Sequence, residues 1–214
     1  MTIKIFNEDC RKTLKRDIKY HYALMGVPDY SEIDMTPDQH KEYEKFIMQV
    51  FERLHPLNDA ITTIQTDRKH GGIIHTKHVM IQRLFRKLGY KLVSQKIWVK
   101  SYKANLFRLN YTFIMTFSKT KPRSTGAREF MPDVFFVKPK KVKGFSLGSA
   151  FEPEIIIPLI KNFTTVKQTV FDPFMGTGTT AIVARSLGRS AIGSEIDKKT
   201  YGICLRRIKQ ATLM

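Results

Sequence analysis

The segment Val170-Phe171-Asp172-Pro173-Phe174-Met175-Gly176-Thr177-Gly178-Thr179-Thr180 carries an apolar run through two closely spaced glycines into the start of a helix. A second acid closes Gly193-Ser194-Glu195, 23 residues after Asp172. Glycines let the backbone approach a ligand where a Cβ would clash, and a carboxylate ending the next strand can accept both hydrogen bonds of a ribose diol. A phosphate-binding P-loop would need Gly-Lys-Ser/Thr, which is absent. A dinucleotide fingerprint would need a third glycine and more chain than the 42 residues after Asp172. The pattern therefore suits a nucleoside better than a pyrophosphate. Its candidate contacts are Asp172, Pro173, Phe174, Gly176, Gly178, Thr179 and Thr180 on the first loop, with Glu195 and Ile196 on the second.

Charge supplies the second chemical signal. The 214 residues hold 37 Lys and Arg against 19 Asp and Glu, a net charge of +18. Between residues 67 and 143 there are 19 basic residues and three acids, Asp67, Glu129 and Asp133, so nearly all of the excess is local. Such a concentration implies a polyanionic partner, nucleic acid ahead of an anionic membrane surface. Candidate contacts are Arg68, Lys69, His70, Arg83, Arg86, Lys87, Lys103, Arg108, Arg123, Arg128, Lys140 and Lys141. They are interleaved with Trp98, Tyr102, Phe107, Tyr111 and Phe130, rings on which unstacked bases can rest. His70, His75 and His78 have no partnering cysteines or carboxylate cluster, so no metal site is expected.

The elements that must position these residues can be read from periodicity. Strands are predicted at Ile3 to Phe6, Tyr20 to Met25, Ala60 to Thr66, Lys91 to Val99, Leu109 to Phe117, Thr169 to Phe171 and Ala191 to Ser194. Thr36-Pro37-Asp38-Gln39 announces a helix reaching about Leu54, with Thr36 as cap and Gln39 completing a capping box. Ile81, Leu84, Phe85 and Leu88 fall on one helical face between about Thr76 and Leu88, with Arg83, Arg86 and Lys87 turned away. Further helices are predicted around Ile155 to Asn162, interrupted at Pro158, from Thr179 to Leu187, and from Lys198. Strands alternating with helices imply an α/β fold with a mainly parallel sheet and ligands at the carboxyl ends of its strands. The prior is one domain, in which residues 118–148 form a loop-rich basic arm.

A hydrophobic fraction of 42% argues against extended disorder. Two cysteines, Cys10 and Cys204, make neither a disulfide framework nor a four-thiolate zinc site, so a reducing intracellular compartment is the default. The amino-terminal residues do not read as a signal peptide, and no run approaches the ~20 apolar residues of a membrane helix.

Asp-Pro-Phe-Met-Gly-Thr-Gly-Thr-Thr followed by Gly-Ser-Glu resembles the S-adenosylmethionine site of the DNA amino-methyltransferases, which methylate adenine N6 or cytosine N4. Phe6-Asn7-Glu8-Asp9-Cys10 resembles the family's Asn-Gly-Asp-Cys strand end, which implies that Asp9 faces the cofactor adenine with Cys10 beside it. Gln65-Thr66-Asp67-Arg68-Lys69, Leu106-Phe107-Arg108-Leu109-Asn110-Tyr111 and Ser149-Ala150-Phe151-Glu152-Pro153 follow in the family's order, and Phe151 joins the implied cofactor set. Catalytic loop first and cofactor loop last is the circularly permuted β-class arrangement of a Rossmann-like methyltransferase fold. The resemblance covers most of residues 3–208 and is most specific at the cofactor loop.

At the catalytic loop the chain departs from the family. The usual Asp, Asn or Ser, then Pro-Pro, then an aromatic residue, becomes Met25-Gly26-Val27-Pro28-Asp29-Tyr30. An exocyclic amine needs acceptors to hold its hydrogens and aim its lone pair, and the extruded base needs a ring to stack on. Aligned on Pro28, Gly26 replaces the acceptor. Pro28, Asp29 and Tyr30 are then the catalytic candidates, Asp29 as acceptor and Tyr30 as stacking ring, with the loop of Lys69, His70 and Gly71-Gly72 bordering the base. Three readings stay open: a DNA amino-methyltransferase, the same fold acting on a modified pyrimidine or on RNA with Asp29 as base, and a catalytically silent DNA-binding subunit. DNA is the favoured partner over RNA, and a membrane is not. So short an arm implies a short recognition site, weak specificity, or help from a second subunit in a homodimer or complex. A compact basic modification enzyme fits a virus or phage as well as a cell.

Overall fold

The computed structural model describes residues 1–103, 109–122, 125, 129–140, 142 and 151–211. Among them are the strands β1 (Ile3–Phe6), β2 (Tyr22–Gly26), β3 (Ile61–Gln65), β4 (Arg68–His70), β5 (Ile73–His75), β6 (Lys91–Val99), β7 (Tyr111–Ser118), β8 (Val134–Phe136), β9 (Thr169–Asp172) and β10 (Ser190–Ser194). The helices are α1 (Cys10–Thr13), α2 (His40–Phe51), α3 (Lys77–Lys87), α4 (Pro153–Phe163), α5 (Thr179–Ser186) and α6 (Lys198–Gln210). Eight strands build one sheet in the order β1-β10-β9-β2-β3-β7-β6-β8, while β4 and β5 form a separate hairpin. Within the sheet only β7 runs against its neighbours.

Successive strand residues face opposite sides, and both sides are covered. Ala23 and Met25 of β2 pack with Tyr43, Ile47 and Phe51 of α2 and with Ile81, Leu84 and Phe85 of α3. Tyr22 and Leu24 pack on the other side with Ile155, Ile156 and Ile160 of α4, Ala181 and Ala184 of α5, and Cys204 of α6. From β9 the chain crosses to β10 in one direction, and from β2 to β3 in the other. The carboxyl ends of β9 and β2, which pair through Tyr22–Val170 and Ala23–Phe171, therefore flank a topological switch point.

Four local expectations change. Pro158 does not interrupt α4, which runs unbroken from Pro153 to Phe163. The proline removes only the bond to the Glu154 carbonyl, in an exposed first turn where water can serve instead. The helix announced by Thr36 opens as a short 3-10 turn, Pro37–Gln39, and the Gln39 side chain accepts from the Thr36 N–H at 3.1 Å before α2 begins. Gly71-Gly72 is the turn of the β4–β5 hairpin rather than an open loop, with φ of +57° and +77°, conformations that glycine adopts without strain. Part of the basic arm, Val134–Phe136, is built into the main sheet beside β6. No helix among the described residues is long and apolar enough to cross a membrane.

Candidate functional site

Asp172 ends β9 and is 2% exposed. One carboxylate oxygen accepts the Phe174 N–H at 3.0 Å and the other accepts the Thr180 hydroxyl at 2.7 Å. Burial lifts its pKa to about 7, against the lowering effect of those two bonds and with a further push from Glu195. Asp172 thus folds the glycine loop back onto α5. Its register partner on β10 is Gly193, where a Cβ would stand 2.2 Å from the Asp172 carbonyl oxygen and 2.5 Å from the Met175 methyl. Gly178 has φ +85°, and a Cβ there would meet the Cys204 sulfur at 2.6 Å, so α5 starts directly against α6. Thr179 turns its hydroxyl toward Arg207 at 3.3 Å, which also binds the Thr177 carbonyl at 2.6 Å.

Glu195 sits just beyond β10 with its carboxylate half committed. It accepts the Gly176 N–H at 2.9 Å and the Asp197 N–H at 2.8 Å, leaving about two of its four lone-pair sites open. Burial raises its pKa above the ordinary carboxylate value. A Cβ at Gly176 would have only the Phe174 carbonyl within 4 Å, at 3.9 Å, so the top of the loop is open. Ile196 stands beside it 63% exposed. The Asn7 amide donates to the carbonyls of Glu195 and Ile196 at 2.8 and 3.2 Å and draws the end of β1 into the same site. An open backbone loop, a half-free carboxylate and an exposed apolar side chain fit a nucleoside.

Two neighbours differ from expectation. Asp9 caps α1 and its carboxylate is gripped by Arg11, at 3.1 Å from Nε and 2.6 Å from Nη2. That guanidinium bond holds its pKa down against burial. Its oxygens are therefore turned to Arg11 rather than left for an adenine. Cys10 is packed in the core, where burial pushes its thiol up to about 12, so its side chain is structural.

The catalytic loop leaves β2 at Gly26. The Phe151 ring lies where a side chain at 26 would point, with Cζ 2.5 Å from a Cβ built there. Tyr43 donates its hydroxyl to the Pro28 carbonyl at 2.7 Å. Asp29 caps a 3-10 turn, accepting from the Tyr30 N–H at 2.9 Å while its own N–H bonds Glu32 at 2.8 Å. Its carboxylate is braced by Arg68 at 3.2 Å and by Lys77 at 3.4 Å. Tyr30, expected as a stacking ring, is instead 2% exposed: it packs on Tyr43 at 4.2 Å between ring centres and shares a hydrogen bond with His40 at 2.8 Å. The 3-10 turn that starts at Tyr30 rolls that ring inward.

Two residues escaped the sequence reading. Lys77, 2% exposed, carries its ammonium into the cluster of Asp29, Glu32 and Asp67; burial lowers its pKa and those acids oppose the shift. It continues the α3 apolar stripe backwards from Ile81, and a lysine at a stripe position was the available signal. Gln65 ends β3 2% exposed, with neither amide atom hydrogen-bonded among the described residues. It opens the Gln65-Thr66-Asp67-Arg68-Lys69 segment, whose place in the family's order was the one signal it carried.

Residues 148–205 match a family model described as DNA methylase. A Type II methyltransferase of Methanocaldococcus jannaschii, M.MjaI, is 27% identical over 84% of this chain and 75% of its own length. The chain is thus similar to the N6/N4 DNA methylases, most specifically over its glycine loop and last strand. M.HinfI of Haemophilus influenzae is 29% identical over 53% of the chain and 32% of its own length. Among solved structures, a DNA modification methylase of Thermus thermophilus, complexed with S-adenosyl-L-methionine, superposes with a TM-score of 0.77 at 20% identity over 98% of this chain and 94% of that one. The cytosine-N4-specific PvuII DNA methyltransferase gives 0.79 at 15% identity over 99% and 90%. Both share the fold.

The basic residues divide by position. Arg68, Lys69 and His70 lie on β4, immediately after β3 and at the edge where the catalytic loop emerges. Lys103 follows β6 at the same edge and is exposed. Lys140 stays there too, its N–H bonded to Glu152 and its ammonium 3.7 Å from Glu152 and 3.6 Å from Glu154. Arg83 is bonded to Glu44 of α2. Arg86 and Lys87, expected as nucleic-acid contacts, end the 11-residue α3, which starts at the site with Lys77 and carries them about 15 Å toward the opposite edge. Arg108, Arg123, Arg128 and Lys141 lie outside the described residues. His78 is bonded to Asp67 at 2.6 Å, and no group of three potential metal ligands occurs among the described residues.

Gly193→Ala is expected to destabilise the fold by about 1–3 kcal/mol, because the new methyl meets backbone rather than a movable side-chain tip. Thermal melting checks it, and cofactor affinity should fall with it. Asp172→Asn tests the raised pKa. With a native value near 7 against 3.8, wild type loses stability as pH rises from about 4 to 7, where the unfolded chain ionises and the native one does not. The stability difference between the two proteins should shift toward the Asn variant across that window and level off above it, as read by denaturant titration at each pH.

Proposed function

We propose that the chain is an S-adenosylmethionine-dependent DNA methyltransferase acting on an exocyclic base amine, adenine N6 or cytosine N4, with the base turned out of its strand. The observation that carries this reading is the half-free Glu195 carboxylate over the open Gly176 backbone, whose loop follows β9, the strand beside the β2 that leads to Asp29, at the switch point. S-adenosylmethionine supplies the electrophilic methyl group. Glu195 would receive the ribose hydroxyls on its open lone-pair sites, and the Gly176 to Gly178 backbone and Ile196 would line the nucleoside. Phe151 fills the space over Gly26 beside this site.

On the other side, Asp29 takes over the acceptor role that Gly26 lacks. Arg68, Lys77 and the Tyr30 N–H hold its carboxylate in one orientation, so that a remaining lone pair can take one amine hydrogen. The Pro28 carbonyl has one lone pair engaged by Tyr43 and can take the other hydrogen. With Tyr30 inside the core, stacking falls to the hairpin, whose His70 and His75 rings stand 6.5 Å apart, His75 edge-on to Tyr30 at 6.4 Å. The buried amide of Gln65 offers a donor and an acceptor one strand away, which matches the edge of a base. The chain reads as a single domain whose arm, residues 118–148, serves recognition, alone or with a second subunit.

Phe151 in the acceptor's place is the observation that favours the second reading, a silent DNA-binding subunit. Incubation with labelled cofactor and DNA, digestion to nucleosides and identification of the product separates the two. The expected product is an N6-methyladenine or N4-methylcytosine nucleoside. Asp29→Ala should lower kcat by about 100-fold or more with cofactor affinity intact, while Glu195→Ala should weaken cofactor binding about tenfold or more. Cofactor binding without transfer to any DNA would leave the silent subunit, and transfer only to RNA or to a modified pyrimidine would move the substrate.

Binding to DNA has its own test. Neutralising Arg68 and Lys69 should weaken binding and reduce its salt slope by about two, while Arg86→Ala with Lys87→Ala should leave the slope near wild type, by fluorescence anisotropy across a salt series.

A further inference from the structure

At the far side of the same edge two aromatic rings are stacked in the open. Tyr102 is 77% exposed and Phe136 42%, with ring centres 4.6 Å apart and planes inclined by 19°. Phe136 ends β8 opposite Val99 of β6, and Tyr102 follows β6 by three residues, so both rings come from the carboxyl ends of neighbouring parallel strands. Because β3 and β6 are both antiparallel to β7, that end is also the one from which the catalytic and cofactor loops emerge. Lys103 and Lys138, both exposed, flank the pair.

We infer that the Tyr102–Phe136 pair is a platform on which an unpaired base of the DNA substrate stacks, a few steps from the base being modified. DNA as the polymer rests on the reading above; the platform itself rests on exposure, ring geometry and flanking charge. A ring pair already stacked on its inner faces presents an outer face on which another flat ring can stack, and every nucleobase has such a face when it leaves its own stack. Lys103 and Lys138 supply the cations that a neighbouring phosphate needs. From β2 to β6 is three strand spacings and to β8 four, about 14–19 Å at roughly 4.8 Å each. Along a duplex strand at about 3.4 Å per base that is about four to six bases. The platform therefore serves a flanking or displaced base and not the methyl acceptor.

The test compares anisotropy titrations of two labelled duplexes, one fully paired and one with a single unpaired adenine, against wild type, Tyr102→Ala, Tyr102→Leu, Tyr102→Trp and Lys103→Ala. The side chain is largely in solvent, so all variants should melt like wild type. Wild type should bind the unpaired-base duplex more tightly. Tyr102→Ala and Tyr102→Leu should each lose about tenfold on that duplex, with little change on the paired one and no change in salt slope, whereas Tyr102→Trp should keep the affinity. Lys103→Ala should lower the slope on both. Wild-type affinity in Tyr102→Leu, or an equal loss on both duplexes, would overturn the platform. A protein that binds both duplexes with the expected aromatic dependence yet transfers no methyl would overturn the function proposed above and leave the platform standing.

Discussion

The site depends on how closely β9 and β10 end against each other. With a hydrogen at Gly193 the Asp172 carbonyl comes within 2.2 Å of where a side chain would begin, and the loop after β9 folds over that contact. Asp172 then satisfies its own loop through Phe174 and Thr180, and Glu195 catches the loop's far side at Gly176. The two acids divide the work by burial. The enclosed one commits its oxygens to the protein, and the half-exposed one keeps two lone-pair sites for a ligand. A loop held at both ends this way is preorganised, and an open Gly176 can meet a nucleoside without a further ordering cost.

The catalytic loop meets a different constraint. Phe151 fills the space over Gly26, so any acceptor must come from further along the chain. In the proposed reading the 3-10 turn capped by Asp29 would supply one, and the same turn packs Tyr30 onto Tyr43 and away from solvent. A carboxylate at such a cap, between Arg68 and the buried ammonium of Lys77, has little rotational freedom left. Burying an ammonium is costly unless acids surround it, and Asp29, Glu32 and Asp67 do. The cluster is thus legible as one unit in which the cost of Lys77 is offset by what it holds in place.

Much of this was present in the sequence. The glycine loop, its paired acid and the strands that carry them lie where periodicity and spacing put them, because those signals are local: a strand end, a turn, a helix start. What could not be read depends on contacts between distant segments. The inward turn of Tyr30 requires α2, the grip of Arg11 on Asp9 turns on side-chain rotamers, and the clash that keeps position 26 glycine comes from a ring 125 residues away. Gln65 and Lys77 look ordinary as letters and become informative only when burial shows that one has no hydrogen-bond partner among the described residues and the other has three acids. Pro158 misled in the opposite sense, since a proline in the second turn removes one bond, to the carbonyl of the exposed Glu154 that water can reach.

Charge is the instance where sequence order and space diverge most. The basic stretch from Asp67 to Lys143 is continuous in the chain, yet it threads β4, α3, β6, β7 and β8, and those elements alternate in direction across the sheet. A helix returning antiparallel to the strands it connects must carry its last turn to the opposite edge, so Arg86 and Lys87 leave the site for the same reason that Lys77 enters it. Cations at strand ends and on the β4–β5 hairpin remain: Arg68, Lys69, Lys103, Lys138 and Lys140. Their line runs from the catalytic loop along the carboxyl edge toward β8, which gives a bound strand a direction. In the proposed reading a polymer following that line would pass the Asp29 loop first and the outer strands last, which would put its contacts beyond the reacting base on the β6–β8 side of the sheet and not across the glycine loop.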